Sequence, residues 1–213
     1  MTIQAFTFNA IQVNTYIVFD ETGEAAIIDP GNTCLAEDER LSSFVREHKL
    51  KVRYIINTHP HVDHVYGNAF CMATWPDATL LMHKSGMGIY ERTTDYCIAF
   101  GFPHVDCPRP TLIDEGRNIT VGRQQWEVIY TPGHCDGSIC LYNAAEHTLF
   151  VGDVLFEGSI GRSDLPTGNH AVLQQSLRKL FMLEENTVVY PGHGPATTLK
   201  KEKIENPFLR FLK

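Results

Sequence analysis

Apolar residues come in short runs along this chain, separated by polar breaks that often carry glycine or proline. Runs rich in β-branched and aromatic residues predict strands. They lie at 3–8, 15–19, 25–28, 52–57 and 79–82 in the first half, and at 119–121, 125–130, 138–142, 148–151 and 187–190 in the second. Helical spacing takes over in two places. Residues 37–49 set Leu41, Phe44, Val45 and His48 on one stripe, and Asn169 caps a helix in which Leu173, Leu177, Leu180 and Phe181 recur. Both stripes read as core without chemistry. Tyr90 to Tyr96, with Arg92 between, is a further helical stretch, either a pocket roof or an amphipathic surface helix. Strands inside and helices outside predict a layered α/β domain. The spacing leaves open whether the strands form one sheet or two.

Composition narrows this picture. With 213 residues, 43% of them hydrophobic, and no low-complexity linker, residues 1–213 are expected to fold as one domain around a sizeable core. No run approaches the ~20 apolar residues of a membrane helix. The N-terminus lacks the basic start and apolar stretch of a secretory signal, so a cytoplasmic protein without a membrane partner is expected. Six cysteines form no Cys-x-x-Cys pair, and reduced thiols are expected. Cys135, directly after His134, is either a packed thiol or one that lines a pocket and is open to oxidation. A net charge of −7 argues against a basic nucleic-acid-binding surface, and bound divalent cations would offset part of it. Oligomeric state is not legible.

The chemistry concentrates at strand ends. Thr58-His59-Pro60-His61-Val62-Asp63-His64 follows the run at 52–57 and places four metal-ligand types close together. His59 and His61 alternate and point the same way in extended backbone, whereas Asp63 and His64 aim elsewhere, where a second cation could sit. Three further strands end similarly, in Thr131-Pro132-Gly133-His134, in Val151-Gly152-Asp153 and in Tyr190-Pro191-Gly192-His193. Glycine or proline beside each donor lets the backbone turn sharply. The remaining histidines, His48, His83, His104, His147 and His170, lack partner spacing and are assigned to surface or packing.

These residues resemble the metallo-β-lactamase superfamily, with its His-x-His-x-Asp-His motif followed by a distant His, Asp and His, and the likeness covers essentially the full chain. Ile28-Asp29-Pro30-Gly31 also fits it, and Gly161-Arg162-Ser163-Asp164 with Pro191-Gly192-His193-Gly194-Pro195 looks like its glyoxalase II-like hydrolases, in their short single-domain branch. The sequence departs from the usual pattern at Pro60, at Tyr66 and at Cys135-Asp136. The resemblance implies a four-layer αββα sandwich of two mixed sheets with outer helices. It implies two divalent metal ions, with zinc expected and iron or manganese as alternatives. His59, His61 and His134 would hold the first, Asp63, His64 and His193 the second, and Asp153 would bridge them. Asp63 and Asp153 would be the catalytic carboxylates, and a shared water-derived hydroxide the nucleophile. Asp29, Arg162, Asp164 and Tyr190 are candidates for support around these ligands.

The function implied is hydrolysis of a small-molecule thioester, with S-lactoylglutathione as a candidate. A thiolate leaves without a proton, and no general acid stands near the ligands in sequence. Only 20 residues follow His193, read as one helix rather than a glutathione-gripping domain. An iron-dependent persulfide dioxygenase using His59, His134 and Asp153 is the alternative enzyme. A non-catalytic metal-binding protein is the alternative outside catalysis. β-Lactamase and nuclease readings fit less well, the first because those enzymes lack the bridging aspartate and are exported, the second for want of a basic surface.

Overall fold

A computed structural model of the chain describes residues 1–101 and 104–212. The first half runs β1 (Thr2–Phe8), β2 (Val13–Phe19), β3 (Glu24–Ile28), α1 (Leu35–Glu47), β4 (Lys51–Ile56), α2 (Val62–Val65), α3 (Asn68–Thr74), β5 (Thr79–His83), α4 (Met87–Tyr90), α5 (Thr93–Phe100) and β6 (Thr111–Ile113). The second runs β7 (Asn118–Val121), β8 (Gln124–Tyr130), β9 (Ile139–Asn143), β10 (Thr148–Gly152), β11 (Leu155–Phe156), β12 (Ser159–Ile160), α6 (His170–Leu180), β13 (Val188–Pro191), β14 (Thr197–Thr198) and α7 (Leu199–Glu205).

Twelve of the strands form two mixed six-stranded sheets, in the orders β1-β2-β3-β4-β5-β6 and β14-β13-β10-β9-β8-β7, and β11 pairs with β12 in a separate antiparallel ribbon. In the first, β1 to β3 are antiparallel and β3 to β6 parallel; in the second, only β10 and β13 are parallel. Period-two alternation sends Tyr16, Val18, Ala26, Ile28 and Ile56 inward against Trp126, Val128, Leu141 and Phe150 of the opposite sheet. The alternate residues of the first sheet, among them Ile17, Ile27 and Ile55, pack against Leu41 and Val45 of α1. On the far side, Leu149, Val151 and Val189 meet Leu173, Leu177 and Leu180 of α6. Burial on both faces explains why the inner strands read as continuous apolar runs. The result is the αββα sandwich, and the open choice between one sheet and two falls to two.

Each expected strand has its counterpart, with ends shifted by a residue or two. The first expected helix runs two residues earlier than 37–49, because Lys49 turns the backbone to φ +54°. Of its stripe, Leu41 and Val45 are buried, while His48 is exposed and stacks on Phe44 at 4.0 Å. Asn169 caps α6 as expected, its side chain accepting from Val172 N at 3.1 Å. The tail is not one helix. It is α7 and a separate 3-10 turn (Pro207–Leu212), because Asn206 is extended before Pro207, and Lys213 lies outside the described residues. No helix among the described residues is long and apolar enough to cross a membrane.

Candidate metal centre

Both sheets deliver their donors at one edge. Past β4 the chain leaves the first sheet through Asn57 and Thr58, whose carbonyl accepts from Ile139 N of the second sheet at 2.8 Å. His59 follows in a bend and His61 in extended backbone, and the motif then closes into the one-turn helix α2, which carries Asp63 and His64. The second sheet supplies His134 after β8, Asp153 after β10 and His193 after β13. The donor atoms of His59, His61 and His134 lie within 4.8 Å of one another, and so do those of Asp63, His64 and His193. Asp153 stands between the two groups. Its Oδ1 is 3.4 Å from His64 Nε2, and its Oδ2 is 3.7 Å from His134 Nε2 and 3.6 Å from His193 Nε2.

Hydrogen bonds on the outer sides of the rings fix which nitrogen faces inward. A carboxylate or carbonyl oxygen can only accept, so His64 Nδ1 donates to Asp29 Oδ2 at 3.0 Å and His134 Nδ1 to the Arg162 carbonyl at 2.8 Å. His193 Nδ1 likewise donates to the Gln12 carbonyl at 3.2 Å. Thr58 Oγ1 gives its proton to Asp29 Oδ2 at 2.6 Å and so accepts from His59 Nδ1 at 3.1 Å. Each of these rings presents Nε2 to the interior. His61 differs, bringing Nδ1 to within 2.9 Å of His134 Nε2. His59 Nε2, His64 Nε2 and Asp153 Oδ1 are buried with no hydrogen-bond partner. Native interiors rarely leave such atoms unpaired unless something else binds them.

The electrostatics differ between the two groups. Burial, with the neighbouring imidazoles His64, His61 and His134, holds His59 well below the usual histidine range. Burial and His134 lower His61 to about 4, and burial lowers His134 as well. This end presents neutral rings. At the other end burial is outweighed, and Asp63, Asp153 and Asp29 raise His64 while Asp63 and Asp153 raise His193. Burial alone would raise Asp63 and Asp153, yet the surrounding histidines hold both below the ordinary carboxylate value. Positive charge is favoured where these groups meet.

The supporting candidates fall in different places. Asp29 adopts left-handed backbone at φ +51° and accepts from Thr58 N at 2.7 Å in addition to Thr58 Oγ1 and His64. Its oxygens are thereby committed to orienting His64 and the strand end before His59. Arg162 and Asp164 form an exposed two-pronged pair, with both N–O distances 2.8 Å, and it is the Arg162 backbone that holds His134. Tyr190 packs between the sheets against Tyr16 and Phe150. Cys135 is fully buried, its thiol pushed up to about 12 chiefly by burial, and it does not line the cleft. That removes the pocket-lining alternative. None of the five other histidines joins the cluster. His83, for one, stacks on Tyr130 at 4.2 Å.

Sequence reasoning missed the clamp on the last donor. Tyr16 Oη donates to the Pro191 carbonyl at 2.7 Å, and Asn14 Nδ2 donates to the carbonyls of Pro191 and Gly194 at 3.1 and 2.8 Å. These partners are 175 to 180 positions apart, so no local signal marks them. In the sequence Gly192 reads only as a residue that lets the backbone turn. A Cβ there would sit 2.2 Å from Asp153 Oδ1 and 2.6 Å from His64 Cε1, so glycine is needed for close approach.

The donors open into a cleft of about 210 Å³ whose other walls are Ile11, Val62, Tyr96, Arg162, Leu165 and Pro166. Tyr96 of α5 reaches this wall, whereas Tyr90 is buried and donates to the Pro108 carbonyl at 2.9 Å. The helical stretch thus contributes one ring to the cleft.

Known proteins match closely over this frame. The metallo-beta-lactamase superfamily profile matches residues 9–193. A relative from Haemophilus influenzae named hydroxyacylglutathione hydrolase GloC is 34% identical over 98% of each chain. The solved structure of TTHA1623 in a di-iron-bound form is 34% identical, with TM-score 0.86 over 97% of this chain and 100% of that one. The BLEG-1 B3 metallo-beta-lactamase structure is 31% identical, with TM-score 0.85 over 98% and 100%. With its sandwich and its edge of converging donors, the chain belongs to the metallo-beta-lactamase superfamily.

Proposed function

We propose that this protein is a metal-dependent hydrolase of a small thioester, of the S-lactoylglutathione type. One observation carries the reading: three buried donor atoms, His59 Nε2, His64 Nε2 and Asp153 Oδ1, converge on a common interior without a hydrogen-bond partner. His59, His61 and His134 would hold one divalent cation and Asp63, His64 and His193 a second, with Asp153 placed to serve both. Bound there, the pair would supply Lewis acidity and a water whose pKa falls to about 7. Zinc suits three neutral imidazoles with an open position. Iron is the alternative occupant, since imidazole and carboxylate accept either metal and the di-iron-bound relative is 34% identical.

Leaving-group chemistry favours a thioester over an amide, since an amine must be given a proton as it departs. Arg162, in the cleft wall, cannot give up its proton at working pH. A thiolate needs none, since a free thiol has a pKa of about 8.5. The apolar residues Ile11, Val62, Leu165 and Pro166 suit a small acyl group and keep water from it. The relative named hydroxyacylglutathione hydrolase supports the same substrate class. The likeness to a B3 metallo-beta-lactamase favours β-lactams as the second reading. We place the protein in the cytoplasm, where its six free cysteines would stay reduced.

The test pairs metal analysis with a substrate panel. Protein saturated with zinc or iron and then desalted should retain two metals per chain. Each form is assayed on acyl-thioesters, on β-lactams, and for oxygen uptake on glutathione persulfide. Thioester hydrolysis should exceed the other two, and Asp153→Ala should abolish it in a folded chain. Retention of a single metal, or turnover of persulfide alone and only with iron, overturns the proposal.

A further inference from the structure

A second groove abuts the metal cleft. It has a volume of about 200 Å³ and is lined by Ser85, Gly88, Ile89, Arg92, Asp136 and Thr167, together with Tyr96 and Pro166. Tyr96 and Pro166 also line the metal cleft, so the two spaces share a wall. The groove brings opposite charges to one small space. Arg92 precedes α5, exposed, with its guanidinium 5.7 Å from the centre of the Tyr96 ring. Its only ion pair among the described residues is a 3.5 Å contact with Asp95, both side chains mostly in solvent. Such a pair is weak and yields to a better-placed carboxylate. Asp136 has no cationic partner among the described residues, and its N–H donates to Thr167 Oγ1 at 2.8 Å, fixing the loop that carries it. Gly88 keeps one side open, since a Cβ there would meet nothing within 4 Å.

Arg162 contrasts with Arg92. Its guanidinium is already engaged by both oxygens of Asp164. Of the two arginines bordering these spaces, Arg92 is the one free to take a carboxylate in two-pronged fashion.

We propose that this groove receives the α-amino-acid end of the substrate's thiol half, its carboxylate on Arg92 and its ammonium on Asp136. The inference rests on the thioester reading above and adds to it where the leaving group lies. The acyl group then occupies the apolar metal cleft, and the thiol portion passes Tyr96 and Pro166. Arg92 and Asp136 act in recognition, not in bond breaking, so their loss falls on binding.

The experiment uses two probe pairs on the full chain. For catalysis, S-lactoylglutathione is compared with the lactoyl thioester of N-acetylcysteamine, which lacks the amino-acid end. For binding, S-methylglutathione is compared with S-methyl-N-acetylcysteamine by calorimetry. Arg92→Met should weaken the glutathione compounds by about tenfold or more, through KM and Kd with kcat held, and leave the others unchanged. Arg92→Lys should restore part of the loss. Asp136→Asn should act on S-methylglutathione but not on its analogue lacking the amino group. Gly88→Leu, which fills the groove, should reproduce Arg92→Met. Equal effects on both members of a pair, or none on either, overturn the groove assignment. Absence of any thioesterase activity instead overturns the proposed function, and the binding comparison still decides the groove.

Discussion

Tyr16 of the first sheet donates its hydroxyl proton to the carbonyl of Pro191 at 2.7 Å, two residues before His193 in the second. Asn14 adds two bonds to the same turn. The position of the last donor is thus set from the opposite sheet.

Two substitutions separate these contributions. Tyr16→Phe leaves the Pro191 carbonyl with Asn14 as a donor, so it should cost only about 1 kcal/mol. Metal stoichiometry should stay at its wild-type value. Asn14→Leu removes both side-chain bonds to the turn and should lower occupancy of the group containing His193. Urea unfolding and metal counting on the two variants check this, and equal metal loss in both would refute the division of roles.

Gly192→Ala tests close approach. The added Cβ must displace Asp153 or His64, with which it would overlap at 2.2 and 2.6 Å. Turnover should fall by about a hundredfold or more, as positioning errors near 1 Å do elsewhere. Circular dichroism should stay native, because the backbone at Gly192 is not in the left-handed region. An active variant with unchanged metal content would refute the crowding argument.

Asp29→Asn tests the orientation of His64. Asparagine tolerates φ +51°, so the backbone should hold. Its amide must turn an NH2 toward Thr58 or His64, each of which needs an acceptor. Metal affinity should fall by roughly 10–100-fold, the usual cost of losing such a partner. Competition with a chromogenic chelator measures it, and an unchanged affinity would sink the idea.

Acid stability has a separate origin. Burial alone would raise the Asp20 carboxyl, but hydrogen bonds from Thr22 and from Arg123 N bring it down to about 2. A carboxylate lowered by folding stabilises above its ordinary value, near 4, and loses that contribution as pH falls through about 2. The gap in urea midpoint between wild type and Asp20→Asn should therefore be full at pH 6 and shrink below pH 4. A gap constant down to pH 2 would contradict it.

The sequence made the strands legible because burial on both faces leaves continuous apolar runs such as those at 16–19 and 25–28. Elements of two or three residues, β6, β11, β12 and β14, carry no period and escaped. So did α2, where the donors Asp63 and His64 displace the apolar pattern of a helix. The seven donors were visible because five stand beside glycine or proline past a strand, and Asp63 and His64 complete the motif that His59 and His61 begin. Asn14, Tyr16 and Thr58 were not, because their partners are set by how the sheets face each other. Cys135 sat beside a donor in sequence yet turned into the interior, since neighbours along an irregular loop need not share a direction.

Four of the donors descend from the first sheet and three from the second. The site is therefore a seam, and its dimensions are a gauge of how the two layers are seated. Trimming a side chain such as Trp126 or Phe150, deep between the layers and not part of the cleft lining, would let them resettle by fractions of an ångström. Distances that must suit a cation to within a few tenths of an ångström would register that slip. Selection for the chemistry at the edge then reaches, through this geometry, into packing that touches no substrate.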